Sequence, residues 1–483
     1  MSEHLVDLDP RAAASAADVV ARRKFLLPLA LAQFICSFAG SNMNVMINDI
    51  SEDLNTSVKG VQTAITLFLL IMAVLMIPGS KLSDRWGRKR CFTIGLVLYG
   101  IGAILSAVSP NLGVLILGNS VFEGVGTALL IPPVYILTTL AFSDMTSRAK
   151  AFGAIMGAGG IGAAAGPLIG GVITTGISWR AAFVFQALVV GAIVLLSRRS
   201  VVDPLPVDPE RPFDTGGAVL SGIGLFSLVF AILQIGTQNV LAVVFAAIGA
   251  VFLLGFFLYI RKRERAGKEV LLSTSLFRNR TSDLALVTQN IQWLMLMGTS
   301  FVVAVYLQEV RGYSAIKTGV VFTAATVGVL LTSLMAARFA TRRTQKTLIV
   351  AGFVGAIGGI VLLILLVRAW SSNLAFVPGL FVIGAALGLM LTPSVNVVQS
   401  SFPEEQQGEI SGLSRSISNL GSSLGTAIAG TILVSAVARG NASYAWAMAS
   451  LAVAGVIGLG AALLLPSRAG GSSVADSQLQ PDQ

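Results

Sequence analysis

Of 483 residues, 54% are apolar and only 12% charged, and the mean hydropathy of +0.82 marks a polytopic membrane protein. The net charge of +10 is not a nucleic-acid signal, because the basic residues fall in short runs between apolar stretches and not along one amphipathic face. Two cysteines, Cys36 and Cys91, both in or beside apolar stretches, exclude a disulfide framework and give no basis for a metal site.

Residues 1–23 hold several acids and are expected to form a disordered cytoplasmic N-terminus, with no cleavable signal peptide, since a full apolar span follows without a small-residue cleavage site. Helix-length apolar stretches then recur at 25–47, 61–79, 91–110, 113–142, 151–176, 179–197, 215–236, 239–260, 283–307, 315–337, 347–368, 374–397, 410–437 and 443–465. Each is near the roughly 20 residues needed to cross the hydrocarbon core. This gives about fourteen spans, an even count that puts both ends on one side. Arg22 to Lys24, Arg85 to Arg90, Arg148 and Lys150, Arg198 and Arg199, the run from Arg261 to Arg280, and Arg338 to Lys346 all fall on one set of alternate loops. The positive-inside rule makes that side cytoplasmic, so the expectation is a multi-pass plasma-membrane protein with both termini inside.

The basic loop SKLSDRWGRKR (80–90) has a weak echo in AARFATRRTQK (336–346), as expected of two related six-helix bundles. The domain expectation is therefore an N-terminal bundle over 24–198, a Pro-rich acidic connection over 199–214, an inserted helix pair over 215–262, a cytoplasmic loop over 263–282, a C-terminal bundle over 283–466 and a disordered tail over 467–483.

Span 1 carries a polar stripe at helical spacing, Gln33, Ser37, Ser41, Asn44 and Asn48, and span 9 offers Gln289, Gln292 and Trp293. Polar groups at membrane depth face protein or water, so the two stripes point to a cavity between the bundles, with the indole available for stacking, or to hydrogen bonding between helices. Glu123, inside span 4 with Asn119 and Thr127 on its face, suits a proton carrier or an anchor for a cationic substrate; a structural role is the alternative. In the loop after span 2, Asp84 can complement a helix N-terminus, Gly87 permits a tight turn, and Arg85, Arg88 and Lys89 can engage carboxylates or helix C-termini, together a latch. Span 5 holds Gly153, Gly162, Gly166, Pro167, Gly170 and Gly171, small residues that let another backbone approach and a proline that kinks the rod. In span 13, Gly421 and Gly425 give a close-packing step, and Arg415 is an interfacial or a gating residue.

The glycine order of span 5 resembles the antiporter motif of exporters in the major facilitator superfamily, and the loop at 80–90 is similar to that superfamily's signature loop. With fourteen spans, the chain looks like the fourteen-helix drug:proton antiporter family from residue 24 to 466. The resemblance implies an all-α major facilitator fold with two six-helix bundles plus an inserted pair. It implies a secondary transporter that exports small hydrophobic or cationic compounds in exchange for protons by alternating access. The chain departs from the family in having Ala39 or Gly40 where an Asp is common, Ser120 where an Arg is common, and Ser80 in place of the signature loop's first Gly. Glu123 is then the substitute carboxylate. Export of a metabolite such as a sugar derivative or amino acid is the alternative within transport, and a non-transporting receptor or accessory protein the alternative outside it. The expected partners are a small-molecule substrate, protons and the bilayer, in a monomer without cofactor. No enzyme is expected: the only histidine, His4, lies in the N-terminus, and no Ser/His/Asp cluster or G-x-x-x-x-G-K-[ST] loop occurs.

Overall fold

A chain this apolar must satisfy its backbone within each span, and the computed structural model does so with helices alone; no strand occurs among the described residues, which are 10–142, 145–201, 212–236, 238–370, 372–402, 406–435 and 441–466. Fourteen long helices follow in order. The N-terminal bundle contains α1 (Lys24–Asp53, broken by a 3-10 turn at Met43–Met46), α2 (Val58–Trp86), α3 (Arg88–Ala107), α4 (Leu112–Ala141), α5 (Met145–Gly176) and α6 (Trp179–Ser200). The inserted pair is α7 (Thr215–Gln234) and α8 (Asn239–Arg265). The C-terminal bundle contains α9 (Arg280–Val310), α10 (Ala315–Arg342), α11 (Gln345–Ala369), α12 (Phe376–Gln399), α13 (Gln407–Ser435) and α14 (Asn441–Leu464). The helix that becomes α1 begins at Pro10, so residues 10–23, expected to be disordered, prolong it. The expected tail at 467–483 and most of the 199–214 connection lie outside the described residues.

Among the described residues twelve helices are long and apolar enough to cross a membrane, thirteen when α5, bent by 42° between Ala163 and Ala165, counts as one span. Pro167 explains the bend, because it cannot donate to the carbonyl of residue 163. The remaining long helix is α13.

The repeat is explicit in the packing. Within the first bundle α1 packs on α5 and α6, α3 on α4 and α6, and α2 on α4; the same pairs recur eight helices later, α9 on α13 and α14, α11 on α12 and α14, and α10 on α12. The two most extensive contacts between bundles are α5 with α10 and α2 with α13, and the repeat relates these to each other. The basic ends of the helices, where Arg85, Arg198, Lys262 and Arg263 lie, define one face of the molecule, called here the basic end; the opposite face is the far end.

The two crossings are not alike. Along α2 and α13 contact is continuous: Gln62 Nε2 donates to the Thr426 carbonyl at 3.1 Å at the far end, Ser423 Oγ to the Thr66 carbonyl at 3.1 Å in the middle, Ser416 Oγ to the Ala73 carbonyl, and Lys81 Nζ lies 2.5 Å from Glu409 at the basic end. The inserted pair covers this seam. Val229 and Leu233 of α7 are buried with Leu70 of α2 and Ala427 of α13. Beyond α8, Glu269 approaches Lys81 to 3.7 Å, and its carbonyl accepts from Arg263 Nε at 2.7 Å. Helix α8 itself turns outward: only 11% of its apolar window is buried, the pattern of a lipid-facing helix.

On the other side, the described close contacts of α5 with α10 lie in its far half. A Cβ on Gly171 would lie 2.5 Å from the Ala315 carbonyl oxygen, and one on Gly319 would lie 2.4 Å from the Pro167 carbonyl oxygen, so the two backbones touch. Gly153 lies 18 residues earlier, five full turns and hence on the same face, yet it is exposed and a Cβ there would meet nothing within 4 Å. Gly157 and Gly160, close to that face, are equally open. The bundles therefore meet at the far end and part toward the basic end along α5 and α10. The other glycines of α5 serve a second partner: Gly162 and Gly166 would drive a Cβ into the Phe34 carbonyl and Ser41 Oγ of α1, and Gly170 into Asn42.

Substituting Gly171→Val should wedge the far-end contact open. In a variant with a single introduced cysteine at the buried Thr318, an impermeant maleimide should label faster when Gly171→Val is present, whereas Gly153→Val should leave labelling unchanged.

Candidate functional site

The gap between the bundles is best defined from the faces of the helices around it. On α13, Ser416 and Ser423 bond to α2, while a Cβ on Gly421 or Gly425 would meet the carbonyls of Asn290 and Leu294 on α9. Between those two faces lies a third, with Arg415, Asn419 and Ser422 at helical spacing. It is directed into the gap. On α9, Asn290 donates to the Ile417 carbonyl at 2.9 Å and Gln292 to the Leu387 carbonyl of α12 at 3.2 Å. The face between them carries Trp293 and, seven residues on, Ser300, whose Oγ accepts from Asn44 Nδ2 of α1 at 3.1 Å.

Opposite Arg415 stand three helices of the first bundle. Its guanidinium donates to the Tyr135 hydroxyl of α4, lies 4.8 Å above that ring, and is 3.0 Å from Met156 Sδ of α5. Tyr135 donates to Gln33 Oε1 of α1 at 2.9 Å, and Gln33 Nε2 to Ser37 Oγ at 3.1 Å. Phe152 of α5 stacks on Tyr135, with centroids 5.9 Å apart and planes 15° from parallel. Arg415, Tyr135, Ser37 and Trp293 are all half-buried, as side chains at the wall of a gap should be. The far end of this gap is sealed: Gln308 Nε2 donates to the Asn44 carbonyl at 2.8 Å, within the 3-10 turn of α1, and its Oε1 accepts from the Asn48 backbone at 3.2 Å.

Of the residues the sequence points to, Gln33, Ser37 and Trp293 thus line the gap and Asn44 closes it. Ser41 bonds to the Ser37 and Phe38 carbonyls and packs against Gly166, inside its own bundle. Gln289 is held between Ser414 and Ser418 of α13 at 2.9 Å each, and Gln292 accepts from Ser394 of α12 at 2.8 Å, so both join helices of the second bundle. Tyr135 is the wall residue that sequence reasoning missed. Its signal is the pair Pro132-Pro133, which marks this part of α4 as lying against protein and water instead of lipid.

Glu123 occupies a different place. It is 0% exposed and ends a π-helical stretch, Ile116–Glu123, inside the first bundle. Asn119 Nδ2 lies 3.5 Å from its Oε2, and Thr127 Oγ1 donates to its backbone carbonyl at 2.8 Å, not to its carboxylate. A Cβ on Gly102 of α3 would come within 2.8 Å of its Cγ, so α3 walls one side. Nearby, the Tyr99 hydroxyl donates to Gln186 Oε1 of α6, and Cys36 Sγ of α1 approaches Thr127 Oγ1 at 3.7 Å. Glu123, Asn119 and Thr127 thus form a polar cluster within the bundle core, and Ser120 beside them donates to the Ala64 carbonyl of α2 at 2.8 Å. Gly40 of α1 faces open space: a Cβ would meet nothing within 4 Å.

In the loop between α2 and α3, Asp84 Oδ1 accepts from Arg88 at 2.9 Å, one turn apart across Gly87, and Lys89 Nζ donates to the Arg198 carbonyl in the last turn of α6 at 3.2 Å. Arg85 sits in the last turn of α2, where a cation complements the helix dipole.

A family model described as the Major Facilitator Superfamily matches residues 29–426 and, in a second match, 286–480. Among curated proteins, the multidrug resistance protein Stp of Mycobacterium tuberculosis is 28% identical over 84% of this chain and 75% of its own length. The puromycin resistance protein pur8 of Streptomyces alboniger is 28% identical over 86% and 82%. The multidrug efflux pump LfrA of Mycolicibacterium smegmatis is 27% identical over 79% and 75%. Among solved structures, the peptide transporter POT in complex with sulfate superposes with a TM-score of 0.67 at 17% identity, covering 92% of this chain and 95% of that one, a likeness of fold.

The loop offers a stability test. Gly87 has φ 95° and ψ 138°, a conformation that side chains disfavour. Gly87→Ala should destabilise the protein by about 1 kcal/mol, read as a lower thermal midpoint in detergent. Gly191→Ala, on α6 where a Cβ meets nothing within 4 Å, should not lower it.

Proposed function

The chain belongs to the Major Facilitator Superfamily and is a transporter, not an enzyme; we propose that it exports small hydrophobic organic compounds across the plasma membrane, in exchange for protons, by alternating access as a monomer. One observation carries the reading: a single face of α5 is in backbone contact with α10 at Gly171 and open at Gly153. A gap closed at one end and open at the other is one of the two states that alternating access requires. Basic loops belong on the cytoplasmic side, so the gap opens inward, with both termini inside.

The resistance and efflux proteins among the relatives support export of drug-like compounds. Glu123, a candidate anchor for a cationic substrate, lies buried in the core of the first bundle. Its role in the proposal is to take up and release the coupled proton, apart from the cargo. Metabolite export remains the second reading, favoured by relatives named a probable actinorhodin transporter in Streptomyces coelicolor and the riboflavin transporter RibZ in Clostridioides difficile. The receptor reading has less support, since a static sensor has no use for the open and closed halves of one helix face.

Uptake into everted membrane vesicles tests the proposal. With an imposed proton gradient, wild-type vesicles should accumulate hydrophobic dyes. Glu123→Gln should reduce this to the level of membranes lacking the protein while leaving the thermal midpoint of the purified variant unchanged, because the amide keeps the shape and can still bond to Asn119. Gradient-driven uptake at the wild-type rate by the Gln variant would refute Glu123 as the coupling group.

A further inference from the structure

Arg415 is a cation without a counter-charge among the described residues. Its guanidinium is met by a phenol hydroxyl and a thioether, both neutral and the latter a weak acceptor, which leaves donors of the planar fork unengaged. No ion pair joins it to a described carboxylate, Asp283 in the first turn of α9 included, and several others are committed elsewhere. Glu409, on its own helix, pairs with Lys81, as does Glu269; Asp84 pairs with Arg88; and Glu123 is sealed behind α3. A guanidinium drawn into a membrane protein's interior with no paired anion is costly, and such groups mark where an anion is received.

What lies around Arg415 describes the rest of that anion. The stacked rings of Tyr135 and Phe152 adjoin the guanidinium, which lies over the Tyr135 ring. Asn419, one turn deeper on the same face of α13, is half-buried with no side-chain partner among the described residues, and the same holds for the indole of Trp293 on α9. Donors and acceptors with no protein partner on the wall of an open gap are left for a ligand.

We propose that Arg415 is the charge-recognising residue of the cargo site and that the cargo is a flat aromatic compound bearing a carboxylate. The carboxylate engages the guanidinium fork near the mouth of the gap, and the ring system extends inward along Tyr135 and Phe152 toward Asn419 and Trp293. This assignment rests on the export reading and narrows its cargo from hydrophobic compounds in general to aromatic acids. It also explains why Tyr135 is held by Gln33: its hydroxyl is fixed as an acceptor for Arg415, which keeps the guanidinium extended across the gap.

The test uses two dyes with one xanthene body: fluorescein, with a free carboxylate, and rhodamine 123, a cation whose carboxyl is a methyl ester. Fluorescence polarisation with the full-length protein in lipid nanodiscs should show tighter binding of fluorescein. Arg415→Gln should weaken fluorescein by roughly tenfold or more, with Arg415→Lys losing less and rhodamine 123 unchanged or stronger in both. Equal weakening of both dyes by Arg415→Gln would reduce Arg415 to a strut between bundles and overturn the assignment. So would wild-type protein that prefers rhodamine 123 or binds neither dye, a result that does not depend on any variant folding. Dye uptake into everted vesicles separates the two layers. Transport of rhodamine 123 but not fluorescein would leave export standing and remove the aromatic-acid cargo, whereas Arg415-dependent fluorescein binding without transport of either dye would do the reverse.

Discussion

Helices in lipid gain nothing from hiding apolar surface from one another, so how closely they meet depends on what stands between their backbones. In this protein α5 depends on that constraint twice. Gly162 and Gly166 bring it against α1, and Gly171 brings it against α10, each so close that a single methyl group would collide with a carbonyl or hydroxyl oxygen. The first contact lies within a bundle and binds α5 to its own half of the molecule. The second lies between bundles. The bend at Pro167, between the two stripes, lets one helix serve both.

The repeat makes the departure from symmetry informative. By the repeat, α5 with α10 and α13 with α2 are the same contact, yet among the described residues only the latter persists to the basic end. The inserted pair lies over the persistent one, with Val229 and Leu233 in the α2–α13 seam and Glu269 at Lys81. A cluster of buried apolar side chains and a shared lysine tie three units together on that side, and nothing comparable bridges α5 and α10 at the basic end among the described residues. The gap thus lies on the side away from the α2–α13 seam, and its wall carries Arg415 from one bundle and Tyr135 from the other.

Hydropathy located the helices well because a span's length is fixed by the bilayer: the stretches at 179–197 and 239–260 correspond to helices Trp179–Ser200 and Asn239–Arg265. What it could not locate is a helix's neighbours. Gln33 and Gln292 look equivalent as polar residues at membrane depth, but Gln33 bonds toward the gap through Tyr135 while Gln292 bonds to the Leu387 carbonyl within its bundle. The difference lies in helix rotation, which a polar stripe defines only coarsely. Glu123 shows the same limit: depth in span 4 was legible, but the π-helical stretch and the approach of Gly102, which enclose it, arise from tertiary packing. The glycines of α5 were legible as a packing surface, though not as two surfaces. Arg415 and the Ser/Asn-rich face of α13 were visible in the sequence, but their meaning came from having α2 on one side and α9 on the other.

The central claim is that α5 and α10 exchange contact between their two ends. Pulsed electron–electron distance measurements would test it directly, with one pair of spin labels at Gly157 and Met335 near the basic end and another at Gly176 and Lys317 near the far end, all four positions being exposed. On lowering the pH, or adding a transported compound, the account predicts that the two distance distributions shift in opposite directions, one end closing as the other opens. Distances that stay fixed at both ends, or that lengthen together, would contradict it.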